Sequence, residues 1–278
     1  MKIIFSLIFS FFFFGIISAQ ELSSEGKLFI IGGGARPAHM LERLVEESGI
    51  NDNVYGIILP MASQEPDSAI FYGKKQFENI GITNVHGLHF ETGKDYSEKK
   101  LDSIKNAALI YISGGDQDRF MRSLDVEIKN AIVQSYSNGA TIAGTSAGAA
   151  VMSEKMITGN EKKYPEYHST YLHLEKDNME LKEGMGFLNK TIIDQHFVRR
   201  SRYNRLLTAI IEFPELQAIG IDEATAILIK GKQAEVIGDS QVIVFENPQA
   251  SKLVKDEKIA AKGISLDIYL HGEKFEIK

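Results

Sequence analysis

A short apolar run from Ala140 to Ala143 stops at Gly144-Thr145-Ser146-Ala147-Gly148. This is a G-x-S-x-G pentapeptide, placed where a strand should turn sharply into a helix. A serine on such a turn projects its hydroxyl outward, and the flanking glycines let neighbouring backbone approach. The helix start behind it offers unbonded N–H groups that can hold an oxyanion. The chemistry on offer is acyl transfer from a hydroxyl, although Gly-, Ala- and Ser-rich turns of this shape also occur with no catalytic role. A nucleophilic serine needs a base. Of seven histidines, His196 in Asp194-Gln195-His196-Phe197 is the best placed, at the end of the strand-like Thr191-Ile-Ile-Asp194. The base in turn needs an acid to orient it. Glu223 in Gly220-Ile-Asp-Glu223 sits at another strand end, and Glu161 follows the elbow helix by one short loop. Spacing does not choose between them. Arg199, Arg200, Arg202 and Arg205 follow His196 directly. They read either as a solvated helix face or as guanidinium groups suited to capturing a substrate carboxylate.

These residues must be brought together by the elements that carry them. Strands are expected at Lys27–Ile31, Val54–Leu59, Val85–Phe90, Ala107–Ile112, the Ala140 run, Thr191–Asp194, Ala218–Ile221 and Ala224–Ile229. Helices are expected at Arg36–Gly49, Ala69–Ile80, a stretch with Phe120, Leu124, Ile128 and Ile132 on one face, Ala147 to about Met156, and Arg199–Glu212. Gly159 to about Lys182 is polar and irregular and reads as a loop near the site, and the chain from about 231 reads as a β-rich tail of hairpins. The alternation predicts an α/β fold: a mostly parallel sheet with helices on both faces. Sites in such sheets lie beyond the C-terminal strand ends, where Gly114-Gly115-Asp116-Gln117, the Ser146 elbow and the Asp194–Phe197 cluster all fall.

The first nineteen residues stand apart. Met1-Lys2 is followed by an almost unbroken Ile, Phe and Leu run to Ile17, and Ser18-Ala19 offers a small-residue cleavage site. This predicts a secretory signal peptide over 1–19, with 20–278 as a single catalytic domain. No stable membrane anchor is expected after cleavage, and the mature protein is expected to be secreted or periplasmic. Cysteine is absent from the 278 residues, so there is neither a disulfide framework nor a thiol nucleophile. The net charge of −6 argues against nucleic acid as a partner. Gly32-Gly33-Gly34 lacks dinucleotide-fingerprint spacing, and no phosphate-binding loop occurs. The pairs His86/His89 and His168/His173 lack a third ligand in obvious reach, so neither a metal nor another cofactor is expected.

Phe29-Ile-Ile-Gly-Gly-Gly34, Ser113-Gly-Gly-Asp-Gln117, Gly144-Thr-Ser-Ala-Gly-Ala149, Asp194-Gln-His-Phe197 with Arg200, Arg202 and Arg205, and Gly220-Ile-Asp-Glu-Ala-Thr-Ala226 together resemble cyanophycinase, in that family's order. The resemblance covers about residues 27–245. It implies a glutamine-amidotransferase-like (flavodoxin-like) fold in the serine-peptidase group that includes aspartyl dipeptidase. The implied activity is exopeptidase cleavage of multi-L-arginyl-poly-L-aspartate to β-Asp-Arg dipeptides. By position it implies Ser146 as nucleophile, His196 as base and either Glu223 or Glu161 as acid, with Glu223 preferred. Gln117, Asp194, Gln195, Arg200, Arg202 and Arg205 would line the substrate pocket, and the N–H groups of Gly115 and Ala147 would form the oxyanion hole. It also implies that two copies can pair as a homodimer. The narrower alternative is a peptidase for short β-aspartyl or N-terminal Asp peptides. The alternative of another class is a non-catalytic binder of acidic peptides.

Overall fold

The computed structural model describes residues 26–166, 168 and 170–278; the signal peptide expected over 1–19 lies outside them. Period-2 alternation builds the first sheet. On β1 (Lys27–Ile31), Leu28 and Ile30 point to one buried face and Phe29 and Ile31 to the other. Beside it lie β5 (Thr141–Thr145), β4 (Leu109–Ile112), β2 (Gly56–Leu59) and β3 (Val85–Gly87), all parallel. On the other side of β1 the sheet continues antiparallel through β10 (Thr225–Lys230), β11 (Gln233–Gly238) and β16 (Lys274–Glu276). Strands of the expected tail therefore complete the main sheet.

One face of this sheet is covered by α1 (Ala38–Ser48) and α2 (Pro66–Glu78), which bury Met40, Leu41, Leu44 and Phe77 on it. The other face packs on α3 (Glu98–Lys105), α4 (Gln117–Ser123), α5 (Val126–Ser137) and α6 (Ala147–Ala150). A second sheet shares that core. Its order is β15 (Ser265–Tyr269), β12 (Val242–Glu246), β9 (Gln217–Ile221) and β8 (Thr191–Gln195), with β8 and β9 parallel. Ile193, Ile219 and Val244 face the main sheet, while Ile192, Ala218 and Phe245 pack under α7 (Tyr203–Glu212). Each fully buried Ile or Phe contributes about 1.5–3 kcal/mol relative to exposure. No helix among the described residues is long and apolar enough to cross a membrane.

Three expected helices take different forms. The stretch from Gln117 to Ser137 is two helices, because the Asp125 side chain accepts from Ile128 N–H at 2.8 Å and caps a new helix there. The elbow helix α6 ends at Ala150: Met185 and Leu188 donate to the carbonyls of Val151 and Met152, and the chain leaves to form β6 (Lys155–Glu161). The third, α7, starts at Tyr203 rather than Arg199. His196 and Ser201 hold positive φ, and Asp222 accepts from Arg199 N–H at 2.8 Å, so residues 196–202 stay a series of turns. The ends of the expected Gly159–Lys182 loop pair as a hairpin of β6 with β7 (Met179–Glu183), and β13 (Leu253–Lys255) pairs with β14 (Lys258–Ala260).

Candidate active site

Ser146 stands between β5 and α6 with φ 53° and ψ −109°, a conformation costing a non-glycine residue roughly 1–3 kcal/mol. The flanking glycines are needed for contact. A Cβ on Gly144 would lie 2.0 Å from the Gly148 carbonyl oxygen, and one on Gly148 would lie 2.4 Å from that of Ile112. Ser146 Oγ is 2.8 Å from His196 Nε2, and His196 Nδ1 is 2.7 Å from Glu223 Oε1. A carboxylate only accepts, so Nδ1 carries the ring proton and Nε2 is left to accept from the serine hydroxyl. The line Glu223–His196–Ser146 has the polarity that a base abstracting the serine proton requires.

Three consecutive carbonyls at the end of β1 hold this line in place. Ile31 accepts from Ser146 N–H at 3.0 Å, Gly32 from His196 N–H at 2.8 Å, and Gly33 from Ala224 N–H at 2.9 Å. All three donors have positive φ: 53° at Ser146, 51° at His196 and 53° at Ala224. One strand end therefore fixes one turn from the main sheet and two from the second. Gly33 itself has φ 112°, and a Cβ there would sit 2.3 Å from His196 Cε1. Only glycine lets the imidazole lie against this backbone. The sequence signal was the Gly32–Gly34 run, whose use is to admit the histidine and glutamate.

Burial is the main cause that pushes the His196 imidazole below its usual pKa. The Glu223 hydrogen bond pulls it back up, and the Arg200 and Arg202 charges push it further down. The net lowering keeps the ring neutral at neutral pH, as a base must be.

Glu161 lies in a different cluster. Its carboxylate accepts from His173 Nδ1 at 2.8 Å, Asn178 Nδ2 at 2.9 Å and Leu172 N–H at 2.7 Å. Burial pushes its pKa up, yet these three bonds hold it below the usual carboxylate range.

The remaining residues divide. Asp194, Gln195, Arg202 and Arg205 are buried together behind the histidine. Arg205 forks onto both Asp194 oxygens, and Arg202 Nη1 donates to the Gln195 carbonyl at 2.7 Å and to its Oε1 at 2.8 Å. Both guanidinium groups are thus engaged within the protein, because Asp194 at 0 % exposure has to be paired. Arg200 is exposed, and no ion-pair partner for it occurs among the described residues. Gln117 Nε2 donates to the carbonyls of Ile157 at 2.8 Å and Thr158 at 3.2 Å, tying α4 to β6. Ala147, the first residue of α6, directly follows the serine; Gly115 has φ 141°, and its neighbour Gly114 would bring a Cβ 3.5 Å from Ser146 Cβ. Sequence reasoning missed Asp222, whose carboxylate accepts from Arg199 N–H and at 2.7 Å from Ser240 Oγ, and which thereby holds the turn behind His196. Its position beside Glu223 was the available signal.

The geometry meets known proteins at this point. The sequence model of peptidase family S51 matches residues 28–237. A cyanophycinase from Geminocystis herdmanii is 30% identical over 270 residues, covering 91% of this chain and 94% of that protein. A peptidase E from Pasteurella multocida is 26% identical over 180 residues, 63% of this chain and 70% of that one. Among solved structures, a peptidase from an acI-B1 Actinobacterium superposes with a TM-score of 0.65 at 22% identity, over 91% of this chain and 97% of the other, a likeness of fold.

Proposed function

We propose that this chain, which belongs to peptidase family S51, is an exported exopeptidase that cuts multi-L-arginyl-poly-L-aspartate to β-Asp-Arg dipeptides with Ser146, His196 and Glu223. Family membership makes it a serine-type peptidase with a peptide substrate. The choice of polymer rests on its likeness to cyanophycinases over nine-tenths of the chain. The observation that carries the triad is the unbroken hydrogen-bond line from Glu223 Oε1 through both nitrogens of His196 to Ser146 Oγ.

In this reading His196 Nε2 takes the serine proton as Oγ attacks the scissile carbonyl carbon. The carbonyl oxygen becomes an anion, held by the N–H groups of Gly115 and Ala147. The C–N bond breaks, the amine leaves with the proton from His196, and Ser146 carries the acyl group as an ester. Water, giving its proton to His196, then attacks the ester and frees the acid and the serine. Glu223 keeps Nδ1 protonated throughout and stabilises the transient imidazolium. Arg200, exposed beside His196, is the arginine of the cluster best placed to meet a substrate carboxylate.

Residues 1–19 are read as a cleaved signal, which sends the mature enzyme to the periplasm or beyond it to scavenge polymer or peptide. N-terminal sequencing of the exported protein should begin at Gln20. The decisive test is to incubate the mature enzyme and Ser146→Ala with arginyl-polyaspartate and read the products by mass spectrometry. Release of β-Asp-Arg by the wild type alone is expected. Cleavage of short β-aspartyl or Asp-Xaa peptides without polymer release would keep the triad and move the substrate to the narrower class.

A further inference from the structure

On the α2 side of Ser146 a cleft of about 270 Å³ opens between the β1 loop, α2 and the ends of β4 and β5. None of its residues was singled out by the sequence for this role. Ala69 and Gly73, one helical turn apart on α2, line its wall. Its one charged lining residue among those described is Arg36. Arg36 Nε donates to Gln76 Oε1 at 2.5 Å and Nη1 to the Gly34 carbonyl at 2.9 Å. The other N–H groups of this five-donor fork find no acceptor among the described residues.

Three more polar atoms around the same cleft are buried and unpartnered among the described residues: Gln76 Nε2, Tyr111 Oη and Thr145 Oγ1. Tyr111 is only 2% exposed, its ring edge-on to Phe77 at 5.9 Å. Buried polar groups in native proteins are almost always paired, so several orphans around one opening point to a missing ligand. Its chemistry follows from theirs. The remaining Arg36 N–H groups and Gln76 Nε2 only donate, and the Tyr111 and Thr145 hydroxyls can donate. A cationic group would meet Arg36 as a like charge. An acceptor-only anion with several lone pairs satisfies the whole set.

We propose that this cleft is a carboxylate-binding subsite of the peptidase, with Arg36 as its specificity determinant and Tyr111 and Gln76 as supporting donors. The inference rests on Ser146 being the nucleophile. The carboxylate can belong to an acidic side chain or to a free chain terminus, and both offer the same acceptors.

The test compares wild type, Arg36→Gln and Tyr111→Phe on matched peptides. One arm exchanges the acidic side chain for its amide, and the other exchanges the terminal carboxylate for a carboxamide. Labelling of Ser146 by a small fluorophosphonate reports an intact nucleophile in each protein. Wild type should prefer the acid in one arm. Arg36→Gln should lose about ten- to a hundredfold in kcat/KM on that acid, chiefly through KM, with the acid–amide preference collapsing. Tyr111→Phe, which keeps the ring packed on Phe77, should lose severalfold in the same direction, and it carries the test if Arg36→Gln folds poorly. Labelled enzymes with unchanged preference, or a wild type without preference in either arm, would overturn the subsite alone. Absence of wild-type labelling would overturn the nucleophile, and the subsite with it.

Discussion

The molecule contains two glutamate–histidine pairs of nearly the same geometry. Glu223 meets His196 Nδ1 at 2.7 Å, and Glu161 meets His173 Nδ1 at 2.8 Å. Only the first resembles a catalytic device, and the difference lies in everything around the pair. The far nitrogen of His196 faces a serine hydroxyl, whereas the His173 ring is stacked on Tyr164 with centroids 3.7 Å apart. Glu161 shares its charge with Asn178 and a backbone N–H, which ties the long connection between β6 and β7 together. His196 is pinned by a strained backbone at the end of β1, where three neighbouring carbonyls also fix the serine and the glutamate. A carboxylate beside an imidazole is thus a common structural motif. Strain, burial and a third partner are what a base needs beyond it.

The sharpest way to break the comparison is to neutralise each acid in turn. Glu223→Gln should lower kcat about 10³–10⁴-fold, because an amide facing Nδ1 no longer enforces the tautomer that leaves Nε2 free to accept. Glu161→Gln should keep kcat within a few-fold of wild type. Steady-state kinetics on one peptide measures both, and equal losses would erase the distinction. Next in size is Gly33→Ala. Its methyl would lie 2.3 Å from His196 Cε1, so the ring must move off Ser146, and a displacement of about 1 Å typically costs on the order of 10²-fold in kcat. A Gly33→Ala enzyme at wild-type rate would show that the backbone cradle does not hold the base. Smaller again is the stability of Glu161→Gln. An amide there opposes the His173 N–H and weakens three bonds, so unfolding should become easier by about 1–3 kcal/mol in a denaturant titration.

The two pairs also show what the sequence could and could not reveal. Ser146 and His196 were legible because each ends an apolar strand and is followed by a turn signal, and strand ends collect sites in this architecture. The parallel core was legible for the same reason. The acid was not. Glu161 and Glu223 both sit at or near strand ends, and choosing between them requires knowing that β8 and β9 leave the main sheet and bring their ends to Gly32 and Gly33. The arginines misled in a physical way. The sequence left a solvated helix face or capture of a substrate carboxylate open for Arg202 and Arg205, whereas the turns held by His196, Ser201 and Asp222 direct both to the buried Asp194. Arg36 carried no pattern at all. Its role depends on a cleft assembled from the β1 loop, α2 and the ends of β4 and β5, which only packing reveals.

The last contrast concerns protons and is the gentlest. Burial first, and then the Arg200 and Arg202 charges, lower the His196 pKa against the pull of Glu223. The acid limb of kcat/KM, which reports groups of the free enzyme, should therefore fall below the ordinary imidazole value of about 6.5. Activity is present above that limb and is lost as pH falls through it, because the protonated ring cannot accept from Ser146. Removing one of the cations tests the cause. Arg200 is exposed, so Arg200→Gln should fold normally. Losing its positive charge makes protonation of His196 easier, and the limb should move up in pH, whatever happens to the plateau. Glu161→Gln, which alters only the separate cluster of His173, Asn178 and Leu172, should leave the limb where it is. A limb that moved with Glu161 and not with Arg200 would assign the titrating base to the wrong half of the molecule.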